Sequence, residues 1–374
     1  MRAEPKPPEA VLAAIRAPFQ DAGGEAVDPP ILQPLGVLLE LAGEALRERL
    51  FVVQAEGGEE ACLRPDFTIP LARAHLERGA AGGRYVYEGR AFRAAGGDGY
   101  EEFLQLGLEV HQAADAAPED ADVEIAALAW RAAVAGGRED LTLVLGDAGL
   151  FGAFVGGLGL DEAATRRLSR LAARPRLLQA ELERTDDEAP AEPSRLAALL
   201  AQAPEGQAAQ VLEEVWALAG IEPVGGRTAA EIAHRLAQRA DLGRQGRLPA
   251  DTAAAIGAYL EISGDLAAAL DKVAGLPSGS PALMRRLDGW RSRGARLAAA
   301  GVPADRLRFT TAPGRSFDYY DGARFEILSA ALGPTRPVAA GGRYDGLLAR
   351  LGGRPNAAVG CMIRPWRAYA GGQA

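Results

Sequence analysis

The chain has 374 residues, of which 48% are hydrophobic and 24% charged, and its net charge is −9. This acidic balance, with an isoelectric point of about 5.1, argues against a protein whose whole surface binds nucleic acid. No apolar run approaches the ~18 residues of a membrane span, and the N-terminal residues lack the apolar core of a signal peptide. Cys62 and Cys361 lie far apart, and the three histidines have no metal-ligand spacing. We therefore expect a cytoplasmic protein without a membrane segment, a zinc cluster or a disulfide framework.

The first part of the chain alternates between helical and strand-like patterns. Residues 8–17 predict a short amphipathic helix. The tandem prolines Pro29 and Pro30 force extended backbone and predict an edge or interface strand. The segment Cys62–Leu76 predicts a strand, a tight turn and a helix, with Thr68 as the N-cap of that helix.

The segment Tyr85–His111 predicts two strands joined by a glycine-rich loop. Side chains two apart share a face of a strand, so the second strand has an apolar face and a mixed face. The apolar face comprises Leu104, Leu106, Leu108 and Val110. The mixed face comprises Phe103, Gln105, Gly107, Glu109 and His111. An amide, a bare glycine and a carboxylate in a row are unusual in a core, and we interpret them as the floor of a polar cleft.

The middle of the chain has a different composition from its two ends. From about Asp161 to Gly301 alanine, leucine, arginine and glutamate dominate, and strand signals disappear. Strand-like sequence resumes at Leu307. We therefore predict an all-helical insertion over residues 161–300 within a sheet domain that is formed by residues 1–160 and 301–374.

Three further clusters have the residue types of a binding site, and each also has a plainer interpretation. Asp66 and Thr68, at a strand-to-helix turn, suit a cationic amine, but both residue types are also favoured helix caps. The run 314–322 holds an arginine, two tyrosines and acids between glycines, which suits a carboxylate beside a small ring but also simple aromatic packing. The glycines of Ala340–Gly346 permit close approach of backbone to a ligand, and a hairpin turn predicts the same letters.

The remaining candidates are an arginine, the hairpin loop that follows it and the histidines. Arg93, at the end of the first hairpin strand, has a side chain suited to bidentate binding of phosphate or carboxylate. The hairpin loop that follows it carries only negative charges, which suits a solvated tip better than a triphosphate site. We expect His75, His111 and His234 to be structural or exposed.

In order and spacing these clusters resemble the histidyl-tRNA synthetase family of class II synthetases. The stretch LRPDFTIPLARA is similar to the family's LRPEGTAPVARA, and YVYEGRAFR…EEFLQLGLEV resembles its motif 2 with Arg93 at the motif arginine. GRSFDYYDG and AAGGRYDGLL resemble the two histidine signatures, and AVGCMIRPWR stands in the place of motif 3 with Arg367 at the arginine position. The resemblance implies an α+β fold with an antiparallel sheet flanked by helices.

Several departures from that family concern the nucleotide half of the site. In motif 2 the family's acid after Phe92-Arg93-Ala94 is replaced by Ala95. In motif 3, Arg364 and Trp366 stand where a small residue and an acid would receive the nucleotide and the metal. We also expect no anticodon-binding domain after motif 3. This pattern resembles the regulatory subunits of ATP phosphoribosyltransferase, which are paralogues of the synthetase.

The second resemblance implies a function without catalysis, cofactor or metal. A regulatory subunit of this kind pairs with a short catalytic transferase subunit in the first step of histidine biosynthesis, within a hetero-oligomer, and takes part in feedback control by histidine. We expect a dimer through the Pro29–Pro30 segment. Two alternatives stay open. One is a truncated histidyl-tRNA synthetase or a free-standing histidine-adenylating enzyme, and the other is a module that binds RNA or a protein, although tRNA binding is not expected from the acidic balance.

The resemblance also implies a pocket for histidine. Its predicted members are Asp66, Thr68, Gln105, Glu109, Arg315, Tyr319 and Tyr320. In this hypothesis Asp66 binds the ammonium group and Arg315 the carboxylate. Glu109 and Gln105 accept from the ring N–H, and Tyr319 or Tyr320 flanks the ring. Arg93 and Arg367 are candidate anion-binding residues.

Overall fold

The computed structural model describes most of the chain. The described residues are 2–42, 44–54, 60–94, 99–112, 118–172, 174–183, 207–219, 229–230, 232–233, 248–312 and 319–372. Two sheets and a set of helices account for these residues. In the described part, no helix is both long and apolar enough to cross a bilayer.

The strands form one large and one small sheet. In chain order they are β1 (Glu25–Ala26), β2 (Leu32–Pro34), β3 (Val52–Gln54), β4 (Glu60–Leu63), β5 (Gly83–Phe92), β6 (Glu102–Gln112), β7 (Leu141–Asp147), β8 (Ser263–Asp265), β9 (Leu307–Thr310), β10 (Ala323–Ser329), β11 (Ala339–Arg343) and β12 (Ala357–Ile363). The nine-stranded sheet has the order β1-β5-β6-β12-β11-β10-β7-β9-β8, and the three-stranded sheet has the order β2-β4-β3. Neighbouring strands are antiparallel except in the pairs β1–β5 and β7–β9.

Helices cover both sheets. The α-helices are α1 (Glu9–Asp21), α2 (Leu35–Ala42), α3 (Thr68–Glu77), α4 (Pro118–Ala135), α5 (Leu150–Val155), α6 (Glu162–Leu171), α7 (Pro175–Leu182), α8 (Gln207–Ala219), α9 (Ala250–Leu260), α10 (Leu266–Ala274), α11 (Pro281–Ala299), α12 (Gly346–Arg350) and α13 (Pro365–Ala368). Short 3₁₀ helices span Glu44–Arg49 and Ala304–Arg306. The architecture is α+β, as the sequence predicts.

The apolar face of β6 lies in the main core. Its leucines and Val110 are buried in one cluster with α4, which lies across β10, β11 and β12 and is contacted by α1 and α11. A second cluster holds α2 and α3 against α12 and includes Tyr319 and Tyr344. The mixed face of β6 therefore faces α3. The predicted alternation of the hairpin is confirmed.

Two local expectations are wrong. The segment 161–300 is not entirely helical, because β8 pairs with β9 at the edge of the large sheet. At three residues, Ser-Gly-Asp, this strand is too short and polar to show a strand pattern. Thr68 is not an N-cap either: α3 begins at Thr68, the preceding Phe67 makes no side-chain cap, and the Thr68 hydroxyl bonds to β6.

The C-terminal part of the predicted insertion packs on the sheet domain. Ile256 and Tyr259 of α9 and Leu270 of α10 are buried in the same cluster as Leu143 and Phe309 of the large sheet. The boundaries at residues 160 and 300 stay a prediction.

Candidate functional site

Two glycines on the strands that flank β6 leave room for side chains beside its mixed face. In the antiparallel register Gly360 of β12 lies opposite Glu109, and Gly89 of β5 lies opposite Gln105. A Cβ atom at Gly360 would overlap Oε2 of Glu109, and one at Gly89 would collide with the side chains of Arg64 and Phe67. Both positions require glycine because side chains from neighbouring elements fill the space above them.

Glu109 is the centre of the site. It is 1% exposed and accepts a hydrogen bond of 2.8 Å from Oγ1 of Thr68, while the hydroxyl of Tyr344 donates to its other carboxylate oxygen. Burial raises the pKa of Glu109 to about 8, although the bonds from Tyr344 and Thr68 act in the opposite direction. Desolvation therefore outweighs two hydrogen bonds, and a partner that supplies a further donor would stabilise the charged form.

Gln105, four residues before Glu109 on the same face of β6, is 0% exposed. Among the described residues neither its Oε1 nor its Nε2 atom has a hydrogen-bond partner. An unpartnered buried amide costs roughly 1–3 kcal/mol for each unsatisfied group. The unpartnered carbonyl oxygen can accept a hydrogen bond and the unpartnered NH₂ group can donate one, which suits a small polar ligand on this face of β6.

Asp66 supplies a second buried carboxylate at the turn before α3. Its Oδ2 atom accepts from the hydroxyl of Tyr319 at 3.4 Å, and its buried Oδ1 atom has no partner among the described residues. Burial raises the pKa of Asp66, and the nearby guanidinium of Arg93 opposes that rise. This arrangement suits a cationic amine, because an ammonium group would restore the desolvated carboxylate's lost interactions.

Arg93, whose backbone N–H donates to the carbonyl of Glu101 across the hairpin, interacts electrostatically with this carboxylate. Its Nε atom donates to the carbonyl of Pro65 at 2.8 Å, and its guanidinium stands 5.4 Å from the centre of the Phe103 ring. Burial lowers the pKa of Arg93 to about 10, although Asp66 acts in the opposite direction. Asp66 is therefore an anion that Arg93 already faces.

Five of the seven predicted pocket residues contact another member of the set. Glu109 contacts Thr68, and Asp66 contacts Tyr319, whose ring centre lies 4.7 Å from that of Tyr320. Gln105 lies on the same strand face as Glu109. Arg315, the predicted partner of a carboxylate, lies outside the described residues, as does His234.

The two arginines of the C-terminal motif lie in different surroundings. Arg367 on α13 donates from Nη1 to the carbonyl of Pro337 at 2.9 Å. Arg364 instead reaches the hairpin, where its guanidinium lies 4.0 Å from the centre of the Phe103 ring. Phe103 thus has the guanidinium groups of Arg93 and Arg364 at its ring, whereas anion binding by Arg367 stays a prediction.

Tyr344 is a site residue that sequence reasoning did not single out. Its hydroxyl donates to Glu109 and lies 3.5 Å from Nε2 of His111. Its sequence context, Gly-Gly-Arg-Tyr-Asp-Gly, was the available signal, but a hairpin turn explains those letters equally well. Both described histidines are buried, and His75 bonds to the hydroxyl of Tyr85 at 2.7 Å.

Among the described residues no group of three His, Cys, Asp or Glu side chains could hold a metal ion. Cys62 and Cys361 are buried free thiols.

Residues 3–241 and 208–365 match the model of the family described as histidyl-tRNA synthetase. Over 351 residues the chain is 36% identical to the ATP phosphoribosyltransferase regulatory subunit of Brucella anthropi. This alignment covers 92% of each protein. It is 37% identical over 347 residues to the corresponding subunit of Brucella canis, with 91% of each covered. The chain belongs to the family of ATP phosphoribosyltransferase regulatory subunits.

Solved structures show that this regulatory subunit has the class II synthetase fold. A crystal structure of an ATP phosphoribosyltransferase regulatory subunit/histidyl-tRNA synthetase from Bacillus halodurans matches with a TM-score of 0.67 and 21% identity, over 99% of this chain and 81% of that one. The histidyl-tRNA synthetase of Nostoc matches with a TM-score of 0.60 and 17% identity, over 96% of this chain and 69% of that one.

Proposed function

We propose that this regulatory subunit binds free histidine on the mixed face of β6 and has no catalytic activity of its own. The observation that carries the proposal is that one face of β6 presents both Glu109, held by two hydroxyl donors, and the unpartnered amide of Gln105. An imidazole presents one N–H donor and one acceptor, and this pair of side chains offers the complementary groups.

The remainder of a histidine molecule matches the other residues of the pocket. Its ammonium group requires an anion, which Asp66 supplies with one unpartnered oxygen. Tyr319 and Tyr320 provide aromatic surface for the ring, and their ring planes differ by 46°. Arg315, outside the described residues, is the proposed partner of the carboxylate.

We further propose that the subunit works in the cytoplasm with a short catalytic transferase subunit at the first step of histidine biosynthesis. In this account the complex activates the catalytic chain, and histidine inhibits it by feedback. Histidine changes the activity only if it binds one arrangement of the complex more tightly than the other. The pocket at Glu109 is the proposed place of that differential binding.

Self-association is proposed through the small sheet. Its edge strands expose apolar side chains, of which Leu32 is 54% and Val52 48% exposed. The adjoining segment is firmly placed, because the buried guanidinium of Arg64 donates to Asp28 and to the carbonyl of Pro29. A rigid apolar surface of this kind supports a dimer through the Pro29–Pro30 segment.

Calorimetric titration of the purified chain with histidine tests the proposed function. The wild-type protein should bind histidine, and Glu109→Ala should weaken that affinity about 10- to 100-fold, which corresponds to a hydrogen bond to a charged group. Glu124→Ala, on the opposite side of the sheet and exposed, is the matched control and should bind like the wild type. Absence of histidine binding by the wild-type chain would refute the pocket assignment.

The adenylating alternative makes a different prediction. A free-standing enzyme that activates histidine exchanges labelled pyrophosphate into ATP in a histidine-dependent manner. We expect no exchange, because the buried Arg364 side chain lies over Phe103 where motif 3 of an adenylating enzyme has a small residue. Exchange above the background of a Glu109→Ala protein would support the enzyme instead.

A further inference from the structure

A buried histidine lies at the end of the hydrogen-bond chain that holds Glu109. His111 follows Glu109 by two residues on the mixed face of β6 and is 2% exposed. Its Nε2 atom lies 3.5 Å from the hydroxyl oxygen of Tyr344, and that hydroxyl donates to Glu109. The tyrosine hydroxyl is therefore the middle link between the histidine and the carboxylate.

The surroundings of His111 keep its ring neutral. The ring of His75 on α3 stands edge-on to it with the ring centres 4.5 Å apart, and the ring of Tyr85 is edge-on at 5.7 Å. Burial, with a smaller contribution from His75, lowers the pKa of His111 to about 3. A neutral imidazole carries one N–H, so one ring nitrogen of His111 can donate and the other can accept.

The hydrogen-bond partners assign this proton to Nε2. Nδ1 of His111 has no partner among the described residues, so either tautomer leaves that atom without a hydrogen bond. A proton on Nδ1 would make Nε2 an acceptor that competes with Glu109 for the single hydroxyl proton of Tyr344. With the proton on Nε2, His111 donates to the tyrosine oxygen and Tyr344 donates to the carboxylate, so each bond polarises the next.

The neighbours of Glu109 make the direction of this chain important. Its two hydrogen-bond donors, Tyr344 and Thr68, are both uncharged hydroxyls. A hydroxyl that is itself polarised by a donor stabilises a carboxylate more than an isolated hydroxyl does. The titratable groups that interact electrostatically with Glu109 include a carboxyl, a thiol and four phenols, namely Asp66, Cys361, Tyr87, Tyr319, Tyr320 and Tyr344.

We propose that His111 is a positioning residue of the pocket, which directs the hydroxyl proton of Tyr344 to Glu109. The carboxylate then remains an acceptor for a ring N–H of the ligand, and the pocket selects a small heterocycle that carries such a donor. The ligand in this inference rests on the proposed function. The effect of His111 on Glu109 is a property of the ligand-free protein and can be tested there.

Carbon-13 NMR of the glutamate carboxyl groups in the ligand-free chain tests this role, with Glu109→Gln to assign the signal. His111→Phe keeps a flat ring and removes the donor, so Glu109 should titrate at a pH about 0.5–1 higher than in the wild type, the equivalent of one neutral hydrogen bond. His111→Gln places an amide N–H near the position of Nε2 and should restore the wild-type titration. A wild-type titration in His111→Phe, or a titration in His111→Gln like that of His111→Phe, would overturn the proposal.

His75→Phe is the matched control. It removes the buried histidine of α3, whose Nδ1 atom bonds to the hydroxyl of Tyr85, and Glu109 should titrate as in the wild type. A shift as large as that of His111→Phe would assign the effect to lost core packing and would contradict the proposal. If His111→Phe does not fold, His111→Asn replaces it, because asparagine places its amide near Nδ1 rather than Nε2. Equal titration of Glu109 in His111→Asn and His111→Gln would then refute the role of Nε2.

Calorimetric titration with histidine separates this inference from the proposed function. His111→Phe should bind histidine about three- to tenfold more weakly than the wild type, and His111→Gln should bind like the wild type. If the wild-type chain binds no histidine while Glu109 titrates as expected in the variants, the proposed function fails and the role of His111 stands. If the wild type binds histidine and His111→Phe changes neither the titration nor the affinity, only the role of His111 fails.

Discussion

The hydroxyl of Thr68 donates a hydrogen bond of 2.8 Å to Oε1 of Glu109, although the two residues are 41 positions apart. This bond joins the first residue of α3 to the polar face of β6. It also brings the strand-to-helix turn, and with it Asp66, to the proposed pocket. Two distant segments of the chain therefore contribute residues to the proposed site.

Replacement of Thr68 by valine tests the contribution of that bond. Valine keeps the shape of threonine and removes the hydroxyl, so the charged form of Glu109 loses one of its two protein donors. We expect histidine affinity to fall about tenfold or more, the lower value for a hydrogen bond to a charged group. Calorimetry measures the affinity, and Thr165→Val on α6 serves as the control; an unchanged Kd in Thr68→Val would contradict the role of this bond.

The pH dependence of stability reports on Glu109. Its pKa is about 8 in the folded protein against 4.5 for an ordinary glutamate. Between these values the folded state binds the additional proton, so this contribution to the free energy of unfolding is full below pH 4.5. It decreases as pH rises, by at most about 1.4 kcal/mol per pH unit, and is lost by about pH 8.

Burial acts in the opposite direction on His111, whose pKa falls from 6.5 to about 3. The unfolded state then binds more protons below pH 6.5, and stability rises with pH up to that value. Between pH 6.5 and 8, His111 therefore makes no contribution to the pH dependence of the free energy of unfolding. Urea unfolding in that window should show a negative pH slope that Glu109→Gln abolishes. The same slope in both proteins would refute the neutral buried carboxyl.

A substitution at Gly360 tests the proposed pocket without removing any polar group. A Cβ atom at this position overlaps the carboxylate of Glu109, and β12 is paired on its two sides with β6 and β11. Gly360→Ala should reduce histidine affinity at least tenfold and destabilise the fold by about 1–3 kcal/mol, the usual cost of overpacking. Gly36→Ala has open space at its Cβ and should change neither quantity appreciably. Normal histidine binding by Gly360→Ala would show that Glu109 does not form the pocket floor.

Much of this site could be predicted from the sequence because strand alternation is a local property. The separation of leucines from Gln105 and Glu109 requires only a period of two, and the hairpin register follows once the two strands pair. The bond between Thr68 and Glu109 could not be predicted in this way. Locally a threonine before a helix reads as a cap, and the competing acceptor belongs to another strand.

The features that could not be predicted from the sequence depend on contacts between segments that are far apart in the chain. Glu4 and Arg364 form an ion pair across 360 positions, and neither residue has a local pattern that announces it. Tyr344 was hidden by the equal fit of its motif to a hairpin turn. The strand β8 was missed because three polar residues carry no periodicity, although pairing with β9 places them in the sheet.

The apolar surface of the small sheet predicts the oligomeric state. A charge at Leu32 or Val52 should break the proposed dimer, because burial of an unpaired carboxylate is unfavourable. In multi-angle light scattering, Leu32→Glu should shift the mass from twice 39.1 kDa to 39.1 kDa. Leu218→Glu, which changes a residue that is 90% exposed on α8, should remain a dimer. A dimeric Leu32→Glu protein would exclude this surface as the interface.

The most direct test of the account is the activity of a short catalytic transferase subunit from the same genome, measured with and without this chain and across histidine concentrations. We predict that the chain raises the transferase activity and that histidine inhibits the complex. The Glu109→Ala chain should still assemble and activate, but inhibition should require at least tenfold more histidine. A complex with Glu109→Ala that is inhibited at the wild-type histidine concentration, or a catalytic subunit that does not respond to this chain, would contradict the account.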